Sequence, residues 1–344
     1  MKLLIIGGTV FLGKHLVEAA LASGHEVKMF NRGVHDDGLF LEVERLRGDR
    51  REDLSALRGR RFDAVIDTCG YVPGAVRASA RLLSDTVEHY TFISSQSVYA
   101  NFDVPGVDES HAVQELSDEQ VREAEAIKPE GKVIAVNYGE MYGGLKALCE
   151  RAVEEEMPGR ALSIRAGLIV GPGDYTDRCT YWVRRVASGG EVLAPGQPDR
   201  PVQFVDVRDL SEWLVRMAEN RTAGIFNATG PARKLSMREL LEACRSASGS
   251  DASFTWVSDE FLKEAEVAGW SEMPLWLPAE DNVVNFFSLD CSQAINAGLT
   301  FRPPVETARA TFEWDRTRDD AKDLRAGLKR EREMELLRAW HQKQ

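Results

Sequence analysis

The chain has 344 residues, 43% apolar and 28% charged, with a net charge of −12, enough for one large α/β domain and a smaller lobe. The acidic balance repels phosphate backbones, so no nucleic-acid partner is expected. No run of about 18 apolar residues occurs, so no membrane span is expected either. The five cysteines (Cys69, Cys149, Cys179, Cys244 and Cys291) form no C-x-x-C pair, which predicts reduced thiols in a cytoplasmic protein and no metal site.

Lys2–Ile6 is a short apolar run that predicts a buried parallel strand. Gly7, Gly8 and Thr9 break it, and apolar residues return at helical spacing at Leu12, Leu16, Ala19 and Ala20. Ser23-Gly24-His25 stops that helix and Glu26–Phe30 predicts a second strand. This is a βαβ unit with a glycine-rich first turn, where a pyrophosphate can meet backbone N–H groups at a helix N-terminus. Gly7 suits the tight turn and Gly13 the close packing of helix on strand; Val10 stands where the middle glycine usually lies. Gly7, Gly8, Thr9, Phe11, Leu12 and Gly13 are therefore candidate cofactor residues.

The second strand runs into Asn31-Arg32-Gly33. An acidic residue there would bind a ribose 2′-hydroxyl, whereas arginine favours a 2′-phosphate. Arg32 thus points to NADP, with NAD as the alternative, unless it is a solvated turn residue; Asp36 and Asp37 lie too far along to reach the ribose. Val43–Asp49 predicts a third strand whose Asp49 either approaches the adenine or sits in a surface turn. Phe62–Asp67 predicts a fourth strand, followed by the small residues Thr68, Cys69 and Gly70 where a cofactor would pass. Tyr90–Ser95 predicts a fifth, whose C-terminal edge is where ligands bind in such sheets. Gln96 follows it. The long polar stretch from Asn101 to about Gly139, with a short helix over Ser117–Ile127, has the character of a lid or binding loop.

Tyr142 and Lys146 share a face of the next helix, which runs to Glu156. A free phenol titrates at about 10. An ammonium one turn away would lower that value, so that Tyr142 exchanges a proton with a substrate alcohol or ketone while Ser95 holds the same oxygen. Tyr138 competes for the role but has no lysine four residues on. Ala161–Arg165 predicts a sixth strand, and 206–230 a helix and strand that return to the main sheet. Tyr175, Arg178, Tyr181, Trp182 and Arg185 fall early in the second lobe, and Trp256, Phe261, Trp270, Trp276, Phe286 and Phe287 later; they line a pocket or form its core.

In these features the sequence resembles the short-chain dehydrogenase/reductase superfamily, in its extended or atypical branch, the NAD-dependent epimerase/dehydratase family, over residues 1–315. Gly7–Gly13 resembles the cofactor turn of the family, Ser94–Tyr99 its serine strand, and Tyr142 with Lys146 its active-site pair. Arg165 through Asp174 resembles the strand and loop that close over the nicotinamide, and Arg200–Leu210 the segment returning from the substrate lobe. The resemblance implies an α/β, Rossmann-type doubly wound parallel sheet over 1–171 with 201–230. A substrate lobe of 172–200 and 231–310 follows, and then a charged helical tail, 311–344. It implies Ser95, Tyr142 and Lys146 as catalytic residues. Tyr142, Lys146, Asn31, Arg32, Asp49, Thr68, Cys69 and Arg165 join the glycine turn on the cofactor, and Gln96, Tyr175, Arg178 and Arg200 face a small-molecule substrate.

Three departures stand out: Val10, a Ser95-to-Tyr142 interval of 47 residues, and Leu277–Asn282, where no arginine grips a diphosphate and Glu280-Asp281 would repel one. Arg200 could serve as half of such a clamp. The expected activity is accordingly that of a reductase or dehydrogenase. The alternatives are a nucleotide-sugar epimerase or dehydratase and a non-enzymatic RNA-binding or cofactor-sensing relative. A homo-oligomer is compatible with the sequence.

Overall fold

Leu3, Leu4, Ile5 and Ile6 are wholly buried in β1 (Lys2–Ile6), as expected of a strand covered on both faces. The structure is a computed structural model that describes residues 1–34, 38–128, 134–278, 283, 285–318 and 323–344. From β1 the chain passes through α1 (Leu12–Ala22), β2 (Glu26–Asn31), β3 (Glu44–Arg47), β4 (Phe62–Asp67), α2 (Pro73–Leu83) and β5 (Val87–Ile93). It continues through α3 (Asp118–Ala126), α4 (Tyr142–Glu156), β6 (Ala161–Ala166), β7 (Ile169–Val170), α5 (Arg178–Ala187) and β8 (Glu191–Pro195). After β9 (Pro201–Val202) and β10 (Val205–Asp206), α6 (Val207–Glu219) and β11 (Gly224–Ala228) return to the main sheet. The rest is β12 (Leu235–Ser236), α7 (Met237–Ser248), β13 (Ser253–Val257), α8 (Asp259–Glu264), α9 (Ser292–Asn296), α10 (Pro304–Asp315) and α11 (Arg330–Lys343).

Seven strands form one sheet in the order β11-β6-β5-β4-β1-β2-β3, every pair parallel. Helices α1 and α6 pack together on one face and α2 and α4 on the other, the doubly wound arrangement. Strand order reverses between β1 and β4, so the loops after β1, β4 and β5 meet at one edge.

The second lobe has its own core, in which Trp182, Trp276, Leu240, Leu241 and Met273 are buried. Tyr181, Trp182 and Trp276 are therefore core; Trp270 and Phe286 are half-buried and packed against it. The expected tail boundary at 311 falls inside α10, which packs on α5 and α7. Beyond it, α11 is docked on the lobe: Leu336 and Leu337 are buried, Glu333 accepts from Arg185 and from the Leu193 amide, and Trp340 meets Phe261 edge-on at 5.0 Å.

The described part of the polar stretch after β5 is tied to the sheet through residue 109. Glu109 accepts from the Asn227 amide on β11, and α3 opens with a capping box between Ser117 and Gln120. Among the described residues no helix is long and apolar enough to cross a membrane, and no group of His, Cys, Asp or Glu is arranged to hold a metal.

Candidate active site

The turn after β1 is built from glycines the backbone requires. Gly7 has φ 110, a left-handed conformation, and a Cβ on Gly13 would lie 2.7 Å from the Gly8 backbone. With any side chain there, alanine included, α1 could not start this close to the turn. Phe11 caps the helix at φ 30 and meets Tyr175 of the second lobe edge-on at 6.5 Å. His15 on α1 hydrogen-bonds the Pro172 carbonyl at 2.8 Å, so the loop after β7 is tied across the glycine turn. Val10 is half-buried beside the turn, packed on the core of the main sheet.

At the end of β2, Asn31 donates to the Gly7 carbonyl at 3.1 Å and accepts from the Gly33 amide and from Arg47 at 2.6 Å. Arg32 is exposed. Arg47 stands beside Asn31 because β3 pairs with β2 in parallel register; sequence reasoning missed it, since nothing in Glu44–Arg47 announces that register. Asp36 and Asp37 lie outside the described residues. Asp49 accepts from the Arg51 amide at 2.9 Å, so it shapes a turn. Thr68 donates to the Ile6 carbonyl at 3.0 Å, and burial pushes the Cys69 thiol up to about 11. Beneath them lies a second unforeseen feature. Arg50 makes two 2.7 Å bonds to Asp67, which also accepts from Tyr90 at 2.9 Å. This network is buried and fixes the floor of the edge.

The predicted catalytic residues converge at the next strand end. Ser95 lies near enough to the Tyr142 phenol to lower it, and its oxygen accepts from the Ser97 amide at 3.1 Å. Two glycines make the approach possible: a Cβ on Gly143 would strike the Ser97 carbonyl, and one on Gly144 would strike Leu116. The Gly-Gly between Tyr142 and Lys146 was thus a readable signal of close packing. Tyr142 keeps a partial opening to solvent, yet burial raises its phenol to about 12; Ser95 and Arg178 pull it down, Tyr175 and Cys149 push it up. Lys146 is buried and donates to the carbonyls of Gly70 at 2.9 Å and Ile93 at 2.5 Å, over the Phe92 ring at 4.3 Å. Burial lowers its own pKa. The Lys146 head is turned to these strand-end carbonyls, and Arg178 is a cation that lowers the phenol. Tyr138 stacks on Tyr71 at 5.9 Å, and Tyr71 in turn lies 6.3 Å from the Tyr142 ring.

Two of the expected ligand arginines are engaged with carboxylates of the chain. Arg165 is held within the protein. It is 3% exposed, bonded to Glu150 at 2.9 Å, to the Glu109 carbonyl and over the Tyr99 ring, while Ser94 donates to the same Glu150. Arg200 is held by Asp259 at 2.9 Å and by the Leu277 carbonyl, and Trp276 donates to that aspartate too. The Glu280-Asp281-Asn282 segment lies outside the described residues. Gln96 is buried, with its Oε1 unpartnered. Tyr175 and Arg178 both act electrostatically on the Tyr142 phenol. Asp174, absent from the sequence-based set, is 1% exposed; one oxygen accepts from Thr176 and the other has no partner, and burial raises its carboxyl to about 6.

The family model described as the NAD dependent epimerase/dehydratase family matches residues 3–229. The chloroplast stem-loop binding protein of 41 kDa b from Arabidopsis thaliana is 26% identical over 268 residues, 72% of this chain; the chain spans 63% of the length of that relative. UDP-glucuronic acid 4-epimerase from Bacillus cereus, solved in complex with NAD, superposes with a TM-score of 0.62 at 17% identity, over 92% of this chain and 99% of that one. UDP-N-acetylglucosamine 4-epimerase from the same organism gives 0.64 at 14% identity, over 94% and 99%. At these identities the two structures establish a shared fold.

Proposed function

The chain belongs to the NAD-dependent epimerase/dehydratase family, and from that premise we propose that it works on a secondary alcohol or ketone of a small molecule with a nicotinamide dinucleotide. The observation that carries this reading is the placing of Ser95 close enough to the Tyr142 phenol to lower it, at the ligand-binding edge of the sheet, with Lys146 one turn along α4. Gly7, Gly8, Thr9, Phe11, Leu12 and Gly13 would hold the pyrophosphate, and the tight glycine turn fits that task. When bound, the nicotinamide supplies or accepts the hydride. Ser95 orients the substrate oxygen. Tyr142, neutral to about 12, gives a proton to a carbonyl oxygen and takes one back from an alcohol when a nearby positive charge stabilises the phenolate. Lys146 fixes Gly70 and Ile93, the backbone on either side of the site.

The family membership supports an epimerase or dehydratase cycle over the simple reductase expected from the sequence. A nucleotide-sugar substrate is the specific version supported by the likeness to the two UDP-sugar epimerases; the pairing of Arg200 with Asp259 weighs against a free diphosphate clamp. For the cofactor, Arg32 and Arg47 around Asn31 support NADP, whereas the family description supports NAD. The unpaired cysteines support a reducing, cytoplasmic setting, and the net charge of −12 supports a small-molecule partner over RNA.

The test is Tyr142→Phe, with turnover of UDP-sugars and simple hydroxy compounds followed by nicotinamide absorbance and product stereochemistry. Turnover should fall about 10²- to 10⁴-fold while binding of NADH or NADPH is kept. Full activity in the variant overturns the assignment.

A further inference from the structure

Arg178, the first residue of α5, is a half-buried cation whose donors are unmatched. Its guanidinium lies over the Trp270 ring, Cζ 4.5 Å from the centroid, and it makes no hydrogen bond or ion pair among the described residues. Four arginines of the lobe are engaged: Arg184 with Asp315, Arg185 with Glu333, Arg200 with Asp259 and Arg318 with Asp177; the exposed Arg325 acts on Tyr175 and is tied to Asp177 through its backbone amide. Asp174, four residues before Arg178 in the loop that leads into α5, leaves an oxygen unpartnered without closing a bridge to it. A cation drawn out of water without a partner is costly. The Trp270 plate is firm, because its amide donates to the Met273 and Trp276 carbonyls and its ring packs on Phe286 at 5.5 Å and Phe287 at 6.2 Å. The same guanidinium lowers the Tyr142 phenol, so it lies within electrostatic reach of the reacting oxygen.

We propose that the substrate carries a carboxylate, received by Arg178 on the Trp270 plate and set beside the carbon whose oxygen meets Tyr142 and Ser95. This rests on the reading of Tyr142 and Ser95 as the reaction centre and adds the substrate class: a hydroxy or keto acid. The planar fork of a guanidinium matches a carboxylate through two parallel hydrogen bonds. A single arginine beside the acidic Asp174 suits a singly charged group. A doubly charged phosphate or a diphosphate calls for the second arginine, Arg200, which Asp259 occupies. The unpartnered Asp174 oxygen then accepts from a substrate hydroxyl next to the carboxylate.

The experiment measures binding without turnover. The full chain, saturated with NADPH or NADH, is melted with millimolar D-glucuronate against D-glucose, L-lactate against propane-1,2-diol, and inorganic phosphate. At least one carboxylate should raise Tm where its neutral counterpart does not. Arg178→Gln should weaken that carboxylate at least about tenfold, and Arg178→Lys should restore part of the loss. Both variants are first checked for unchanged cofactor binding. No response to any carboxylate, an equal response in Arg178→Gln, or a larger response to phosphate than to every carboxylate overturns the proposal. Tyr142→Phe should keep the carboxylate response, so full turnover in that variant would refute the catalytic reading without touching this result.

Discussion

Replacing Asp174 by asparagine should make the protein more stable, and by an amount that depends on pH in a defined way. The carboxyl of Asp174 is raised from an ordinary value near 3.8 to about 6, chiefly because burial penalises its charge. Between those two values the folded state holds more protons than the unfolded state, so this residue costs stability as pH rises through the window. Each pH unit of displacement is worth about 1.4 kcal/mol, so the full cost above the window is about 3 kcal/mol. Asparagine keeps the acceptor that serves the Thr176 amide and hydroxyl, at 2.8 and 2.7 Å. It places an amide N–H₂ where the unpartnered oxygen stood, which costs about 1–2 kcal/mol at every pH. The net gain at about pH 8 is thus about 1–2 kcal/mol. The advantage should widen by about 1.4 kcal/mol from about pH 5 to about pH 8. Urea unfolding of both proteins at a series of pH values, followed by circular dichroism, reads this directly. A stability difference that does not change with pH, or one that shrinks as pH rises, refutes the reasoning.

Two further changes probe Arg165 and the cofactor pocket. Glu150→Gln removes one partner of an ion pair in which both side chains are under 10% exposed. It should cost about 3–5 kcal/mol by stranding Arg165, with cofactor affinity unchanged in the folded protein. A loss below about 1 kcal/mol in chemical denaturation would return Arg165 to the list of ligand residues. Arg32→Ala and Arg47→Ala should each weaken NADPH about tenfold or more and leave NADH nearly unaffected. Nicotinamide fluorescence titrations measure both; a wild-type preference for NADH removes the argument from Asn31, Arg32 and Arg47.

What could be read in advance follows from what is local. The buried run Lys2–Ile6 and the helix from Tyr142 to Glu156 are set by apolar patterning within one element, and both occur where the pattern places them. The meeting of Ser95 and Tyr142 was legible because fold topology brings successive strand ends to one edge. Side chains that travel were not. Lys146 shares a helix face with Tyr142, but its four-carbon stem carries the ammonium to the carbonyls of Gly70 and Ile93, which are distant in sequence. Arg165 and Arg200 sit where the pattern puts them, yet their partners Glu150 and Asp259 lie on other elements, and pairing is settled only by packing. Arg47 needed the register of the short, polar β3.

These placements change what Tyr142 can do and when. With Lys146 turned to the backbone, the buried pair favours its uncharged forms: burial moves the phenol up and the ammonium down. Arg178 is a cation that favours the phenolate. A substrate carboxylate that engages Arg178 cancels much of that pull, so Tyr142 remains a proton donor, suited to a carbonyl oxygen. The reverse role, taking a proton from an alcohol, requires a further positive charge beside the ring. If Tyr142 is the proposed acid and base, charge entering the site, rather than the Tyr-Lys spacing alone, would set the direction in which it moves its proton.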